Sequence, residues 1–207
     1  LTKLRELERK QESERRLRNY FFYDCWDSIP EPIQKRLMPI DYLWFSQEEF
    51  NLGGIFEELK KPTENLVREI LWDPFIKWRN SRRVKTDIKA LKKEDNFEKR
   101  LQDLQKKNHE PTLPDFVAML VTPSFEKFIK QRFSQNECHF ILNNLSEPLK
   151  ELNRKRNQEV HAKAPRTWHK QDVAPLLKKF LGINCPGILP FLARMLREAS
   201  TQNGRKS

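Results

Sequence analysis

The stretch from residue 55 to residue 78 reads IFEELKKPTENLVREILWDPFIKW, and its apolar residues decide the fold class. They recur at steps of three and four residues, which is the spacing of one face of an α-helix. The pattern predicts a helix whose apolar face lies in the core. A kink or break is expected at Pro62 and Pro74, because proline lacks the backbone donor that a helix interior uses. The residues of this face are Phe56, Leu59, Leu66, Ile70, Leu71, Phe75 and Trp78.

The same helical spacing extends to both sides of this stretch. Upstream, the aromatic-rich residues 20–50 are interrupted by prolines at 30, 32 and 39, which predicts short helical pieces joined by proline turns. No Asn-Gly or Asp-Gly turn joins alternating apolar segments, so signals for β-strands are scarce. The sequence therefore predicts an all-α protein. Downstream, helices are expected over 79–107, 116–133 with a division at Pro123, 139–161, 172–182 with an end at Gly182, and 189–196.

Composition excludes several classes of protein. The chain has 207 residues, of which 11% are aromatic, and this is too many for a disordered chain. No run approaches the ~20 consecutive apolar residues of a membrane span, and the charges from Lys3 onward argue against a secretory signal. The cysteines at 25, 138 and 185 are too far apart for a zinc knuckle or a disulfide framework. We therefore expect reduced thiols in a cytoplasmic protein, with no metal, no cofactor and no membrane partner.

Two changes in composition suggest the domain organisation. Residues 1–18 are highly charged and contain no Gly or Pro, which predicts a polar connecting helix without an apolar face for docking. Residues 19–200 are expected to form the main helical domain, and residues 201–207 a polar tail. Because the chain begins with Leu1 and not with Met, we expect a fragment of a longer protein that carries a covalently linked upstream domain.

The net charge of +11 suits a polyanionic partner such as RNA or DNA. Most of the excess lies in two segments. Residues 79–107 contain eleven bases and five acids, which predicts a long amphipathic helix with a basic outer face. Residues 149–170 contain seven bases and two acids. An ordinary solvated surface would also be charged. The positive charge therefore indicates a nucleic-acid partner only where it lies beside residues that could be catalytic.

Histidine is the side chain that exchanges protons near neutral pH, so the four histidines are the first candidates for catalysis. Three of them are interpreted as surface or structural residues, since none has partners at a spacing suited to a metal or a triad. The fourth, His161, ends the segment Arg156-Asn157-Gln158-Glu159-Val160-His161. On a helix Asn157 and His161 lie one turn apart on the same face. The three interpreted as non-catalytic are His109, His139 and His169.

The residue types in this segment fit the cleavage of an RNA phosphodiester. Arg156 offers a planar, permanently charged fork for phosphate, Asn157 can orient groups by hydrogen bonds, and His161 can give or take a proton. Arginine followed by histidine at such spacings occurs three times in this arginine-rich chain, where about one match is expected by chance, so the loose pattern alone is almost uninformative. Requiring Asn directly after Arg leaves one match, where roughly 0.02 would be expected by chance.

The segment resembles the HEPN superfamily (higher eukaryotes and prokaryotes nucleotide-binding), whose ribonucleases often carry Arg-Asn-x3-His. The resemblance covers roughly residues 40–197 and includes the stretch TLPDFVAMLVTPSFEKF at 112–128. It implies a HEPN-like helical bundle, here with an N-terminal polar helix and an inserted long basic helix. It also implies a homodimer in which two motifs share one composite cleft. In that cleft Arg156 would stabilise the phosphate, Asn157 would orient and His161 would be the acid or base.

Basic residues around the motif are expected to bind RNA. These are Arg154, Lys155, Lys163 and Arg166, which would make binding sensitive to salt. Trp168 is the candidate for stacking on a base. Glu159 is expected to lie on the solvent face or to pair with a neighbouring base.

The leading hypothesis is a metal-independent endoribonuclease domain, the effector of a defence or toxin-type protein. A non-catalytic HEPN module for dimerisation or RNA binding remains open, with His161 buried. It also remains open that the motif is a coincidence, with Arg156 paired to Glu151 or Glu159 and His161 favoured at a helix C-terminus by the helix dipole. A third interpretation treats the basic face of 79–107 as a plain nucleic-acid-binding surface. Its contacts would include Lys89, Lys92, Lys93 and Lys99.

Overall fold

The structure is a computed structural model, and it describes residues 2–45, 52–81, 92–161, 167–182 and 187–204. All regular secondary structure in these ranges is helical, so the predicted all-α class is confirmed. The α-helices are α1 (Thr2–Arg16), α2 (Glu31–Phe45), α3 (Gly54–Val67), α4 (Asp73–Ser81), α5 (Lys92–Lys107), α6 (Leu113–Leu120), α7 (Pro123–Arg132), α8 (Gln135–Asn144), α9 (Ser146–Val160), α10 (Lys170–Leu177) and α11 (Ile188–Gly204).

Three π-helical turns adjoin these helices, at Leu17–Phe21, Arg68–Trp72 and Lys178–Gly182, and a 3₁₀ turn covers Trp26–Ser28. The second turn links α3 directly to α4, so the chain is helical without interruption from 54 to 81. Pro62 therefore causes no break, and Pro74 lies in the first turn of α4, directly after the π-helical turn. Proline costs one hydrogen bond inside a helix, and the fully buried apolar residues along α3 offset that cost.

Several other boundaries differ from the sequence prediction. The single helix expected over 139–161 is two helices, because Ser146 opens a new helix with Pro148 in its first turn, where proline is tolerated. Helix α11 runs to Gly204 and so continues through most of the residues expected as a polar tail. The helix expected over 79–107 is observed as the end of α4 and as α5, and residues 82–91 lie outside the described residues.

The chain divides into two compact units. The first comprises Leu1–Leu66 and Arg154–Ser207, and the second comprises Val67–Asn153. The motif from Arg156 to His161 therefore belongs to the first unit.

Phe75 lies at the centre of the second unit's core. Its ring centroid is 5.3 Å from that of Phe125, 5.6 Å from that of Phe128 and 5.8 Å from that of Phe97. These rings come from α4, α5 and α7, so one aromatic cluster joins three helices. Tilted and edge-on pairs at such separations each add about 0.5–1.5 kcal/mol beyond burial. The helical spacing of residues 116–133 predicts an apolar face, of which six residues are buried: Phe116, Met119, Leu120, Phe125, Phe128 and Ile129. Phe133 of that face and the predicted core residue Trp78 are only partly buried.

The core of the first unit is built from α2, α3, α10, α11 and the turns between them. The Cys25 thiol lies 3.8 Å from the carbonyl oxygen of Pro190, and Arg197 Nη1 donates to the Asp24 carbonyl at 2.5 Å. These contacts hold α11 against the residues around the 3₁₀ turn. Cys25 and Cys138 are both unbonded and buried, as expected, and Cys185 lies outside the described residues.

The polar leader helix α1 contacts α2 through charge instead of an apolar face. Arg16 donates three hydrogen bonds to the carboxylate of Asp41, and the shortest of them measures 2.7 Å. Asp41 is 1% exposed. Most side chains of α1 from residue 7 to residue 12 are exposed. A groove of about 380 Å³ lies between the two helices, lined by Arg9, Lys10, Ser13, Lys35, Met38, Pro39 and Tyr42.

Among the described helices, none is both long and apolar enough to span a membrane.

Candidate active site

The predicted motif occupies the last turns of α9 and the residue after it. The buried face of α9 is set by Leu149 and Leu152, both 0% exposed. Asn157 and His161 are exposed, and the His161 backbone N–H continues the helical pattern by donating to the Asn157 carbonyl at 3.0 Å. The one-turn relation expected between these two residues is therefore present. The His161 side chain makes no hydrogen bond to any other side chain in the described part of the chain.

Arg156 is held by a carboxylate from a distant part of the sequence. Its Nε donates to Glu57 Oε2 at 2.7 Å, across a separation of 99 residues, and its Nη1 lies 3.4 Å from Asn157 Oδ1. The Arg156 side chain is 23% exposed. The sequence allows Arg156 to pair with Glu151 or Glu159, but the observed partner is Glu57 in the first turn of α3.

The charge state of Glu57 is set by its neighbours. Partial burial acts to raise the pKa of its carboxyl, but the hydrogen bond and charge of Arg156, together with the charges of Lys60 and Arg36, lower that pKa overall. Glu57 is therefore ionised at neutral pH. Lys60, one of the cations acting on Glu57, also pairs with Glu64 at 3.9 Å.

Behind the motif, Glu159 faces the protein interior. The sequence predicts instead that it lies on the solvent face or pairs with a neighbouring base. Its Oε2 accepts a hydrogen bond of 2.5 Å from Nε1 of Trp168. The Trp168 ring is 1% exposed and meets Phe56 edge-on, with centroids 4.8 Å apart. A buried ring has no open face, so the prediction that Trp168 stacks on an RNA base is wrong. The sequence could not show this, since the partner Phe56 is more than a hundred positions away.

Lys155 is also engaged within the protein. Its Nζ donates to the Asp172 carbonyl oxygen at 2.9 Å and lies 5.0 Å from the centre of the Trp168 ring. A cation over an indole ring gains electrostatic stabilisation that grows as water is excluded. The ammonium expected to contact RNA therefore stabilises the packing behind the motif. Lys155 and Glu159 both lie on α9. Lys155 contacts the face of the Trp168 ring and Glu159 accepts its N–H, and these three residues are called the clamp.

The start of α3 is fixed against this clamp. The Leu52 N–H donates to the Trp168 carbonyl at 3.1 Å. Gly53 lies next to it, and a Cβ at that position would overlap the Glu159 carboxylate, so a larger residue would require this carboxylate to move. Glu57 follows one helical turn later, beside Arg156. A glycine pair at 53–54 is visible in the sequence, but nothing in the sequence indicates that it lies against α9.

The other predicted RNA-binding residues fall in different environments. Arg154 is exposed, with Nη1 3.5 Å from Gln158 Oε1. Lys163 and Arg166 lie outside the described residues. The structure adds Lys60 and Arg36 to the positive surroundings of Glu57, and neither was singled out from the sequence.

The basic segment 79–107 is partly neutralised within the second unit. Arg79 pairs with Glu98, and Arg100 Nη1 lies 3.2 Å from Asp115 Oδ1. Lys99 is exposed. Residue Lys89 and the side chains of Lys92 and Lys93 lie outside what the structure describes.

The remaining histidines keep their structural or surface interpretation. His139 Nδ1 lies 3.1 Å from the Asn143 amide, while the neighbouring Cys138 thiol points to the Ile129 carbonyl at 3.3 Å. The His169 N–H donates to Asp172 Oδ2 at 3.1 Å at the start of α10. In the described ranges no three His, Cys, Asp or Glu side chains are grouped as a metal site would need.

Comparison of the chain with protein-family models, with curated proteins and with solved structures finds no match.

Proposed function

We propose that this chain is a metal-independent endoribonuclease domain that cleaves RNA through attack by the ribose 2′-OH. The observation that carries the proposal is the Arg-Asn-x3-His segment at an exposed helix end. Asn157 and His161 share an accessible face there, and Arg156 is fixed beside Asn157. Exposure of His161 favours this function over a scaffold, for which a buried His161 was expected.

The proposed reaction needs one base, one acid and one cation. A His161 ring accepts the proton of the 2′-OH, and O2′ attacks the adjacent phosphorus. Arg156 stabilises the charge that develops on the phosphoryl oxygens. The P–O5′ bond then breaks, and the leaving O5′ receives a proton from an imidazolium. The products are a 2′,3′-cyclic phosphate and a 5′-OH.

We propose that acid and base come from two copies of the chain. One neutral and one protonated His161 would face each other in a composite cleft, as the resemblance to HEPN ribonucleases implies. An effector role in a defence or toxin-type protein, joined to an upstream domain, rests on that resemblance as well.

The test is cleavage of a labelled RNA in the presence of EDTA. The wild-type chain should cut it, and His161→Ala should lower the rate by at least about a hundredfold, since general acid–base catalysis contributes 10²–10⁴-fold. His109→Ala is the matched control, because His109 is exposed and lies outside the motif. Intact RNA with the wild-type chain, or equal cutting by His161→Ala, would end the proposal.

The composite cleft has its own test. Mixed dimers of one wild-type and one His161→Ala chain keep a single His161, so a cleft that needs two imidazoles should be as inactive in them as in the His161→Ala homodimer. About half of the wild-type rate, in mixed dimers shown by mass, would place acid and base within a single chain.

The alternative is a non-catalytic HEPN module for dimerisation or RNA binding. The ion pair between Arg156 and Glu57 is the observation in its favour, because a structural arginine would be held in the same way. This alternative predicts that RNA bound to the chain stays intact and that His161→Ala binds RNA as the wild type does.

A further inference from the structure

The guanidinium of Arg156 is fixed by a carboxylate that the motif does not contain. Glu57 takes a hydrogen bond from Nε, and Asn157 Oδ1 lies near Nη1. A guanidinium has five N–H donors in a rigid fork. With its Nε side bound to Glu57, the fork can still offer donors from its two terminal nitrogens to a phosphate.

Glu57 follows residues that are held in place by contacts with Trp168 and Glu159. It lies in the first turn of α3, and the residues just before that helix are bound to the Trp168 carbonyl and packed against Glu159. Both Trp168 and Glu159 belong to the same first unit as Arg156. Each side of the ion pair is therefore attached to the same cluster, so the position of Glu57 fixes the direction of the Arg156 fork.

Glu57 also carries a negative charge at a site proposed to receive a polyanion. If its only effect were electrostatic, it would weaken RNA binding and oppose the function. Lys60 and Arg36 act on Glu57 with positive charge and, with Arg156, lower the pKa of its carboxyl. The presence of the Glu57 carboxylate beside a proposed phosphate site is explained if Glu57 orients Arg156, the cation that stabilises the phosphate during cleavage.

We propose that Glu57 is a positioning residue for the RNA cleavage reaction, holding Arg156 so that its terminal nitrogens face the scissile phosphate. This inference rests on the proposed function of the motif. It predicts opposite effects on binding and on turnover when the charge of Glu57 is removed. RNA should bind more tightly, and the bound RNA should be cut more slowly.

The experiment measures RNA affinity and single-turnover cleavage separately for Glu57→Gln. Affinity is measured with an RNA carrying a 2′-deoxy sugar at the scissile nucleotide, which cannot be cut. We expect affinity to rise roughly threefold, as for loss of one unfavourable partly screened charge. The cleavage rate should fall at least about tenfold, because a misplaced catalytic group costs up to 10²-fold.

Three further variants separate positioning from folding and from charge. Glu58→Gln removes the same charge at the next position, about 100° around the helix, and should cleave at the wild-type rate. Glu57→Asp keeps the carboxylate and should recover part of the lost rate. In an Arg156→Lys background, which lacks the fork, Glu57→Gln should cause little further loss.

The outcomes are distinct. If the wild-type chain cuts no RNA, the proposed function fails and this inference falls with it. If the wild type cuts RNA and folded Glu57→Gln turns over as fast or faster, the function stands and the positioning role of Glu57 is wrong. Weaker RNA binding together with slower cleavage would also overturn it, because that result makes Glu57 a general structural residue.

Discussion

Replacement of Trp168 by Phe tests whether the clamp behind the motif stabilises the first unit. The change removes the indole N–H that donates to Glu159 at 2.5 Å, while a smaller ring can still meet Phe56. A hydrogen bond to a charged group contributes about 1.5–3 kcal/mol. Loss of ring volume from a residue that is 1% exposed adds about 1 kcal/mol. We expect the free energy of unfolding to fall by about 2.5–4 kcal/mol.

The assay is urea unfolding followed by circular dichroism, with the slope against urea compared between variants. A double-mutant cycle with Glu159→Ala isolates the hydrogen bond, and its coupling energy should be about 1.5–3 kcal/mol. Trp44→Phe is the matched control, because Trp44 is only half-buried and is expected to lose less than about 1 kcal/mol. A coupling energy below about 0.5 kcal/mol would refute the clamp.

Three further predictions concern the first unit. Arg16→Ala should destabilise the chain by about 3 kcal/mol, because it leaves the buried Asp41 carboxylate unpaired; a change below about 1 kcal/mol in urea unfolding would contradict this. Gly53→Ala should cost about 1–3 kcal/mol by displacing the Glu159 carboxylate, and this loss should shrink in a Glu159→Ala background. Burial raises the pKa of the Cys25 thiol to about 11, so in a chain whose other two cysteines are serines a disulfide reagent at pH 8 should label only unfolded protein; fast labelling of the folded chain would contradict that burial.

Helical periodicity was sufficient to predict the fold class and most of the helices. Phe75 and Phe125 could be assigned to the core because each lies on an apolar face repeating every three or four residues. Helix ends were less predictable, because the hydrogen bond that a proline loses competes with the burial of nearby apolar side chains. Pro62 lies inside α3 although proline usually ends a helix, because burial of the surrounding apolar face outweighs one lost hydrogen bond.

The candidate site shows a sharper limit of sequence reasoning. The relation of Asn157 to His161 follows from helix geometry and could be predicted. The contact of Arg156 with Glu57 joins residues 99 positions apart, and no local pattern reports it. Trp168 and Glu159 look like surface residues in the sequence because polar residues surround them. Trp168 is buried against Phe56, and Glu159 accepts its indole N–H; both contacts appear only in the three-dimensional structure.

The measurement that tests the central claim most directly is the chemistry of the RNA ends after incubation with the wild-type chain in EDTA. We predict a 2′,3′-cyclic phosphate on one fragment and a 5′-OH on the other, with no such products from His161→Ala. An RNA with a single 2′-deoxy sugar at the cut position should stay whole. Fragments ending in 3′-OH and 5′-phosphate, or cutting that does not depend on His161, would contradict the account.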